Sequence, residues 1–534
     1  MMEHAPILFI LIPVITAIII YVLRSRWSHY LAFFAQIIVT VLAVIYYVDI
    51  APHFVSGVIY FIGDWDVIGI PLMNDRLSAV LVSLTIFVWW MVLIYKFRPK
   101  EAEPTFLFFL LFLEGVFLGL LQTSDLFNLF VFMELTTIIV TILVAFKKMG
   151  SSIRAGVYYL LLNTAGVLMF LIGVVLLYYT FGTINMLEIR NGMEGLAPGH
   201  TVVGLAYVLM MAGISVKAAL FPVFAWLPRA HGVAQSAVSA LLSGLIVKGG
   251  IYLFIRLNGM FSPADFDYMD FFFFVGLATA LTGSLFAMMQ KNIKVLLAYS
   301  TLTQVGLIII GLVSLDDYSA GLLHVVHHAL FKGLLFFAAG IIVSVYRTKD
   351  ITKISGLMRS MPIVSIFMII GMLAITGAPF MNGYISKALI TDALYDDPLR
   401  YYAVFLVNIG SAAAFVKLSM IFFGPKTLSY PHKNYAQIVP LAVISLACFV
   451  FGIFHESLGE ILFGFDVSAV DPFTFTALAT YIVTIAFGFL LYHHLIRPDR
   501  KGVRRLRRFT VTFETANYLF VIYVAVLTGF FLLL

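Results

Sequence analysis

Seven ionisable side chains stand deep inside apolar runs of this 534-residue chain. Glu134 lies in FNLFVFMELTTIIV, Lys217 in MAGISVKAALFP and Lys248 in SGLIVKGGIYLF. His324, His328 and Lys332 recur at four-residue spacing in HVVHHALFKGLLFF, and Lys387 lies in GAPFMNGYISKALI. An ionised group in hydrocarbon costs about 2.5–3.5 kcal/mol on insertion scales, so such groups face a protein interior or water. Four-residue spacing puts the two histidines and Lys332 on one helix face, along about 12 Å, as a proton relay requires. Lys217 is twelve residues from Arg229, about 18 Å along a helix, too far for its ammonium to snorkel out. Lys248 is similarly deep. Lys387 stands nearer its segment end, where snorkelling competes with a working role. Glu134 reads either as a working carboxylate or as a structural partner of Lys217. Lys417, in AAAFVKLSMIFF, is evenly divided between the two readings. Glu114, in LFFLLFLEGVF, ranks below Glu134 as a local ion-pair partner.

No metal and no cofactor is expected. Haem between helices needs histidines on facing helices, whereas His231, His455 and His493 sit at segment ends and His327 lies off the stripe. Cys448 is the one cysteine, which excludes an intrachain disulfide and a cysteine-ligated iron–sulfur cluster. There is no GxxxxGK[ST] and no GxGxxG to bind a nucleotide.

These charges are rare because the chain is so apolar: 62% of its residues are hydrophobic, 11% are charged, and Phe occurs 51 times. A soluble domain carries about 25% charged residues, so a soluble enzyme is excluded and the fold class is all-α and polytopic. Sixteen apolar segments follow one another, at about 5–23, 30–48, 74–95, 105–122, 126–146, 155–180, 202–227, 233–257, 270–290, 294–314, 319–345, 362–392, 400–423, 437–455, 473–496 and 515–534. Each meets the length of about 20 residues that a bilayer needs. The expectation is 14–16 transmembrane helices, the segment from 515 having the option of lying along the membrane. The first segment reads as a retained helix, since Met-Met-Glu-His lacks the basic start of a signal peptide.

Loop charges alternate. Odd-numbered segments are followed by Arg24 and Arg26; Lys96, Arg98 and Lys100; Lys147, Lys148 and Arg154; Arg229; Lys291; Arg347 to Arg359; and Lys426. Even-numbered ones are followed by Asp64, Asp66 and Asp75; Asp125; Glu188 and Glu194; Asp265 to Asp270; Asp316 and Asp317; Asp392 to Asp397; and Glu456 to Asp466. Basic loops stay cytoplasmic, which places the N-terminus outside. The net charge of +6 is therefore topogenic and predicts no nucleic-acid partner. The run Arg504, Arg505, Arg507, Arg508 reads as one more cytoplasmic loop, with attraction of anionic lipid as the alternative.

Lys217 and Lys387 are 170 residues apart, and Lys248 and Lys417 are 169 apart. Each pair is separated by five segments, an odd number, so the two units enter the membrane in opposite senses, the pattern of an inverted-repeat transporter. The organisation predicted is 1–104, three N-terminal helices; 105–257, a first five-helix repeat; 270–423, a second; and 437–534, C-terminal helices. Helices 7 and 12 carry Pro222 and Pro379 and are expected to be broken, since freed backbone in a membrane must meet protein or water. The repeat sets Gln304 where Glu134 stands, so the second unit lacks that carboxylate.

The segments DLFNLFVFMEL, KAALFPVFAWLPRAH, HHALFKGLLFFAAG and GAPFMNGYISKAL, with IGDWDVIGIPLMNDRLSAVLV before them, resemble the proton-conducting antiporter-like family. It includes the D subunit of Mrp sodium/proton antiporters, antiporter-like subunits of respiratory complex I, and counterparts in membrane-bound hydrogenases. The resemblance runs from about 60 to 425. It implies that Glu134 and Lys217 are the family's glutamate–lysine pair, Lys248 its connecting lysine, His324, His328 and Lys332 its polar stripe, and Lys387 its terminal lysine. It further implies an ion-translocating subunit of a multisubunit complex in a prokaryotic plasma membrane. That subunit moves protons either by Mrp-type cation/proton antiport, with sodium as the candidate cation, or as a proton-pumping subunit driven by a partner redox module in a complex I-like or hydrogenase complex. The helix pair beyond 473 exceeds the family's fourteen-helix core, and Glu114 stands where a smaller or neutral residue is expected. A stand-alone solute carrier and a quinone or haem redox enzyme are the competing classes. The first predicts activity without partners, and the second lacks ligands.

Overall fold

The computed structural model describes residues 2–63, 69–97, 103–196, 199–315, 317–426, 434–468, 470–497, 501–508 and 511–533. Asp64, Asp66, Arg98, Lys100 and Asp316, which belong to the loop-charge pattern, lie outside the described residues. Among the described residues, thirteen helices are long and apolar enough to cross a membrane, and three shorter apolar ones accompany them. They coincide with the sixteen segments. The N-terminal helices are α1 (Ala5–Leu23), α2 (Ser28–Ile50) and α3 (Arg76–Lys96). Then come α4 (Pro104–Leu120), α5 (Leu126–Ala145) and α6 (Gly150–Phe181). The seventh segment is divided into α7 (Thr201–Lys217) and α8 (Trp226–Val233). The eighth is α9 (Ser236–Ala264), followed by α10 (Met269–Met289), α11 (Ile293–Val313) and α12 (Ser319–Tyr346). The twelfth is divided into α13 (Pro362–Thr376) and α14 (Asn382–Asp392). The chain closes with α15 (Pro398–Ser419), α16 (Tyr435–Ile453), α17 (Phe475–Leu491), a short α18 (Lys501–Arg508) and α19 (Phe513–Thr528).

Several loop aspartates do local work as well as carrying charge. Asp75, Asp125 and Asp397 cap α3, α5 and α15, each accepting a hydrogen bond from the backbone N–H of Ser78, Asn128 or Arg400. A carboxylate there satisfies an orphan donor and meets the positive end of the helix dipole. Asp75 also holds the Arg256 guanidinium of α9 through two bonds of 2.5 and 2.6 Å. At the opposite face, the C-terminus of α10 is held by cations. Lys417 donates to the carbonyls of Met288 and Gln290, and Arg507 to that of Met289.

Burial is graded in the way a membrane protein requires. Along α9 the whole apolar window is buried, and along α11 and α12 the buried shares are 89% and 78%. The last two spans are 17% and 22% buried. A helix covered on all sides and yet carrying Lys248 is one whose charge is served by protein, not lipid. Gly250 permits this closeness: a Cβ there would stand 2.6 Å from the backbone nitrogen of Ala218. α9 therefore passes directly against the break that follows Lys217.

One expectation changes and one option is narrowed. The stretch after α2, read as an acidic loop, contains an antiparallel hairpin, β1 (Val58–Ile62) with β2 (Ile70–Asn74). It is pinned inward by Met73 N–H donating to Gln122 O and by the Asn74 amide on Gln122. The last helix does not lie along the membrane. α19 and its flanking residues run antiparallel to the divided α7–α8 segment: Val511 before α19 meets Arg229 of α8, Tyr523 bonds Ser215 of α7 at 2.9 Å, and Phe531 beyond α19 meets the Tyr207 ring edge-on.

Candidate functional site

Lys217 is the last residue of α7, just before the break holding Pro222. It is 2% exposed. Its ammonium donates to the Met133 carbonyl at 2.9 Å and the Thr137 hydroxyl at 2.7 Å, both on α5. Glu134 stands between those two residues but bonds elsewhere: its Oε1 accepts from Thr164 of α6 at 2.8 Å, and its Oε2 is buried with no partner. The Glu134 carboxylate of α5 and the Lys217 ammonium of α7 thus sit in an open arrangement at one stretch of α5, each held by its own hydroxyl.

A second polar cluster lies where α9, α11, α12 and α14 converge. A π-helical turn, Leu242–Ile246, precedes Lys248. Such a turn loosens the regular ladder and recurs at functional sites. Here it presents the Ser243 carbonyl to the Lys248 ammonium, which also contacts His328 Nδ1 at 2.7 Å. The rings of His324 and His328 lie nearly parallel, their centroids 6.3 Å apart. His324 meets Gln304 through Nε2 at 3.0 Å and Ser386 through Nδ1 at 2.8 Å. Gln304 thus occupies the amide side of a histidine contact. Ser386 also meets His327, which is drawn into the cluster despite lying off the stripe.

Lys332 is fully buried and bonds the Leu297 carbonyl at 2.8 Å and the Ser300 hydroxyl at 2.5 Å. The neighbouring Thr301 hydroxyl is 2.7 Å from that of Ser243. Lys332 is thereby joined to Lys248 through α11 hydroxyls and backbone, not by direct contact. Lys387 follows Ser386 on α14 and donates to the Ile375 carbonyl at 2.7 Å. That carbonyl is in the last turn of α13, where helix acceptors lack partners. Lys387 is 7% exposed, so it points into the break and does not snorkel. A cavity of about 200 Å³ begins at Lys387, is walled by Thr376, Thr391, Thr480 and Thr484, and reaches Thr476 at the start of α17.

Among the described residues no hydrogen bond joins Lys217 to Lys248 at the α7 break, His328, whose Nε2 is unpartnered, to His324, or Lys387 to the His324–Ser386 pair, so the polar line has gaps at these three steps. Lys417 stays outside the line, capping α10. Glu114 is fully buried on α4 with both oxygens unpartnered and forms no ion pair. No group of His, Cys, Asp and Glu side chains among the described residues is arranged to hold a metal.

Two buried groups escaped the sequence reading. His231, taken for a segment-end residue, is fully buried on α8, stacked on Phe336 at 4.8 Å, with both ring nitrogens unpartnered. Lys294, at the start of α11, is 2% exposed and donates to the Ala234 carbonyl at 2.9 Å. The hint lay in LPRAH: a polar pair just after a proline break, where the chain folds back under α12 before reaching water.

The family model described as NADH:quinone oxidoreductase/Mrp antiporter, TM, matches residues 123–416, more than half the chain. Antiporter subunit mnhD2 of Staphylococcus aureus strain N315 is 29% identical over 435 residues, covering 79% of this chain and 86% of that protein. The membrane-bound sulfane sulfur reductase, an archaeal respiratory membrane complex, contains a chain 27% identical, with a TM-score of 0.80 over 90% of this chain and all of that one. A chain of the Mrp complex from Dietzia sp. DQ12-45-1b shares the fold, with a TM-score of 0.78 at 24% identity over 90% of this chain and 99% of its own. The residues that α5, α7, α9, α12 and α14 bring together all fall inside the matched region, and the chain belongs to the family of NADH:quinone oxidoreductase and Mrp antiporter transmembrane subunits.

Proposed function

We propose that this multi-pass membrane protein is the proton-carrying, antiporter-like subunit of a multisubunit complex in a prokaryotic plasma membrane, exchanging protons for a cation such as sodium. The observation that carries the reading is the run of buried polar side chains Lys248, His328, His324 and Ser386, with the 2.7 Å lysine–histidine contact at one end and the 2.8 Å His324–Ser386 contact at the other. Proton transfer needs hydrogen-bond contact or one bridging water; the Lys248–His328 and His324–Ser386 contacts supply the first, and in this reading a water bridges the parallel rings of His328 and His324, 6.3 Å apart. Lys217 and Glu134 form the entrance, Lys332 a side store, and Lys387 the exit into the threonine-lined cavity. Units 105–257 and 270–423 act as inverted repeats, supported by the lysine spacings and by one divided helix in each.

A second reading is favoured by the likeness to the sulfane sulfur reductase chain: the same path driven by a redox module in place of an ion gradient. Purification in mild detergent, followed by identification of the attached subunits, separates the two. Redox subunits favour the second reading. Small antiporter subunits favour the first. A chain that transports alone, with no partners, overturns both.

The N-terminus is placed outside. Thr352, exposed beside Lys353, lies on the cytoplasmic side and Asp396 on the external side. Thr352→Cys is expected to react only with a reagent supplied to the cytoplasmic face, and Asp396→Cys only from outside. Labelling of Thr352→Cys from outside inverts the assignment.

A further inference from the structure

A cavity of about 580 Å³ opens at the basic-loop face, away from the lysine line, and nothing in the transport reading uses it. Three arginines from different parts of the chain line it: Arg154 of α6, Arg229 of α8 and Arg507 of α18. Gln290, Asn292 and Ser151 add uncharged polar groups, and no carboxylate is among its lining residues. Its volume lies within the range of small-ligand sites.

The arginines are held in place. The Arg229 guanidinium lies 4.0 Å over the Tyr158 ring and donates to the Val511 carbonyl, and Arg507 Nε donates to the Met289 carbonyl at 2.7 Å. Arg154 is exposed and has no bonded partner among the described residues. Helix α18 is docked as well: Val503 is buried in one apolar cluster with Ala287, Met288 and Ala413, while Lys501, Arg504 and Arg505 are exposed. A loop serving only to set topology needs no such seat and need not close a cavity.

Gathering three guanidinium groups around one polar space is unfavourable unless an anion joins them. Guanidinium forks match phosphate oxygens two at a time, and Arg is suited to that geometry where Lys is not. We propose that this cavity binds a phosphate group, carried by an anionic phospholipid of the leaflet at the basic face or by free phosphate. The lipid-facing stripe Ile153, Val157 and Leu161 begins beside Arg154 on α6, all three at 46–47% exposure. Acyl chains attached to a phosphate in the cavity have that stripe alongside. The bound group clasps α18 and the start of α19 to α6 and α8. The proposal is independent of how the chain transports ions.

The full chain, purified and freed of lipid, is titrated with phosphatidylglycerol, phosphatidylcholine or inorganic phosphate. Retained lipid is counted by native mass spectrometry and thermal stability is read beside it. Wild type is expected to hold one phosphatidylglycerol at least about tenfold more tightly than phosphatidylcholine, roughly the effect of one charge-assisted bond. Arg154→Gln, on an exposed side chain that the fold tolerates, and Arg154→Gln with Arg507→Gln lose that preference. Arg504→Gln with Arg505→Gln, on the outward flank, keeps it. Stabilisation by inorganic phosphate in wild type and not in Arg154→Gln assigns the site to the free anion. Equal retention of both lipids together with no phosphate effect, or a preference unchanged in Arg154→Gln, overturns the proposal.

Discussion

Lys248→Ala reduces proton-coupled transport by about a hundredfold or more, the scale on which a positioned proton-transfer group acts, whereas Lys248→His retains a measurable fraction. Lys248 is the member of the line that contacts the histidine stripe directly, at 2.7 Å from His328. Alanine removes the proton and leaves the Ser243 carbonyl and His328 without their shared donor. Histidine is shorter, yet it keeps an exchangeable proton on the same wall of α9. The side chain is 1% exposed, so no water from the bulk replaces it. The measurement is dye-reported proton flux in vesicles containing the assembled complex, with subunit content checked on the same sample. Wild-type flux in Lys248→Ala removes Lys248 from the path.

Much of this arrangement was legible because hydrocarbon leaves few choices. A run such as 5–23 has one way to satisfy its backbone without water, and it forms Ala5–Leu23. The depth of Lys217 and Lys248 followed from counting residues to the nearest basic loop, since 1.5 Å per residue converts sequence into depth. What escaped depended on where the chain folds back. The hairpin formed by 58–62 and 70–74 is stabilised by bonds from its second strand to Gln122 and Thr123, and nothing in IPLMN names that partner. His231 and Lys294 sit at segment ends, where distance along the chain says interface. The α7 break lets α8 turn beneath α12, so both are sealed by residues a hundred positions away or by the neighbouring loop. Ser386 was invisible for a different reason: a serine in an apolar helix ordinarily bonds its own backbone, and only the packing of α14 on α12 aims it at two histidines.

Glu134→Ala and Lys217→Ala each abolish ion exchange while the complex still assembles, and the double variant is no worse than either single one. The geometry explains all three parts. Lys217 rests on the Met133 carbonyl and the Thr137 hydroxyl, and Thr137 bonds that same carbonyl itself. Losing the ammonium therefore leaves no stranded backbone acceptor, and α5 stays helical. Glu134 holds one hydroxyl, that of Thr164, which the α6 backbone can take back. Packing thus depends little on either charge. Transport depends on both, because they stand at the entrance of the line, where no hydrogen bond among the described residues joins Lys217 to Lys248. With Glu134 turned to Thr164, as here, only the Met133 carbonyl and the Thr137 hydroxyl hold the ammonium at the α5 side. A carboxylate turned toward Lys217 adds to that hold, and its absence lowers the barrier to moving toward α9, where Gly250 brings the next helix against the break. Groups that act as one switch give non-additive losses, since removing either partner already removes the coupling. Exchange assays on purified complexes of equal subunit content read this directly. Losses that multiply in the double variant mean two independent groups, and wild-type exchange in both single variants means that the proton enters by another route.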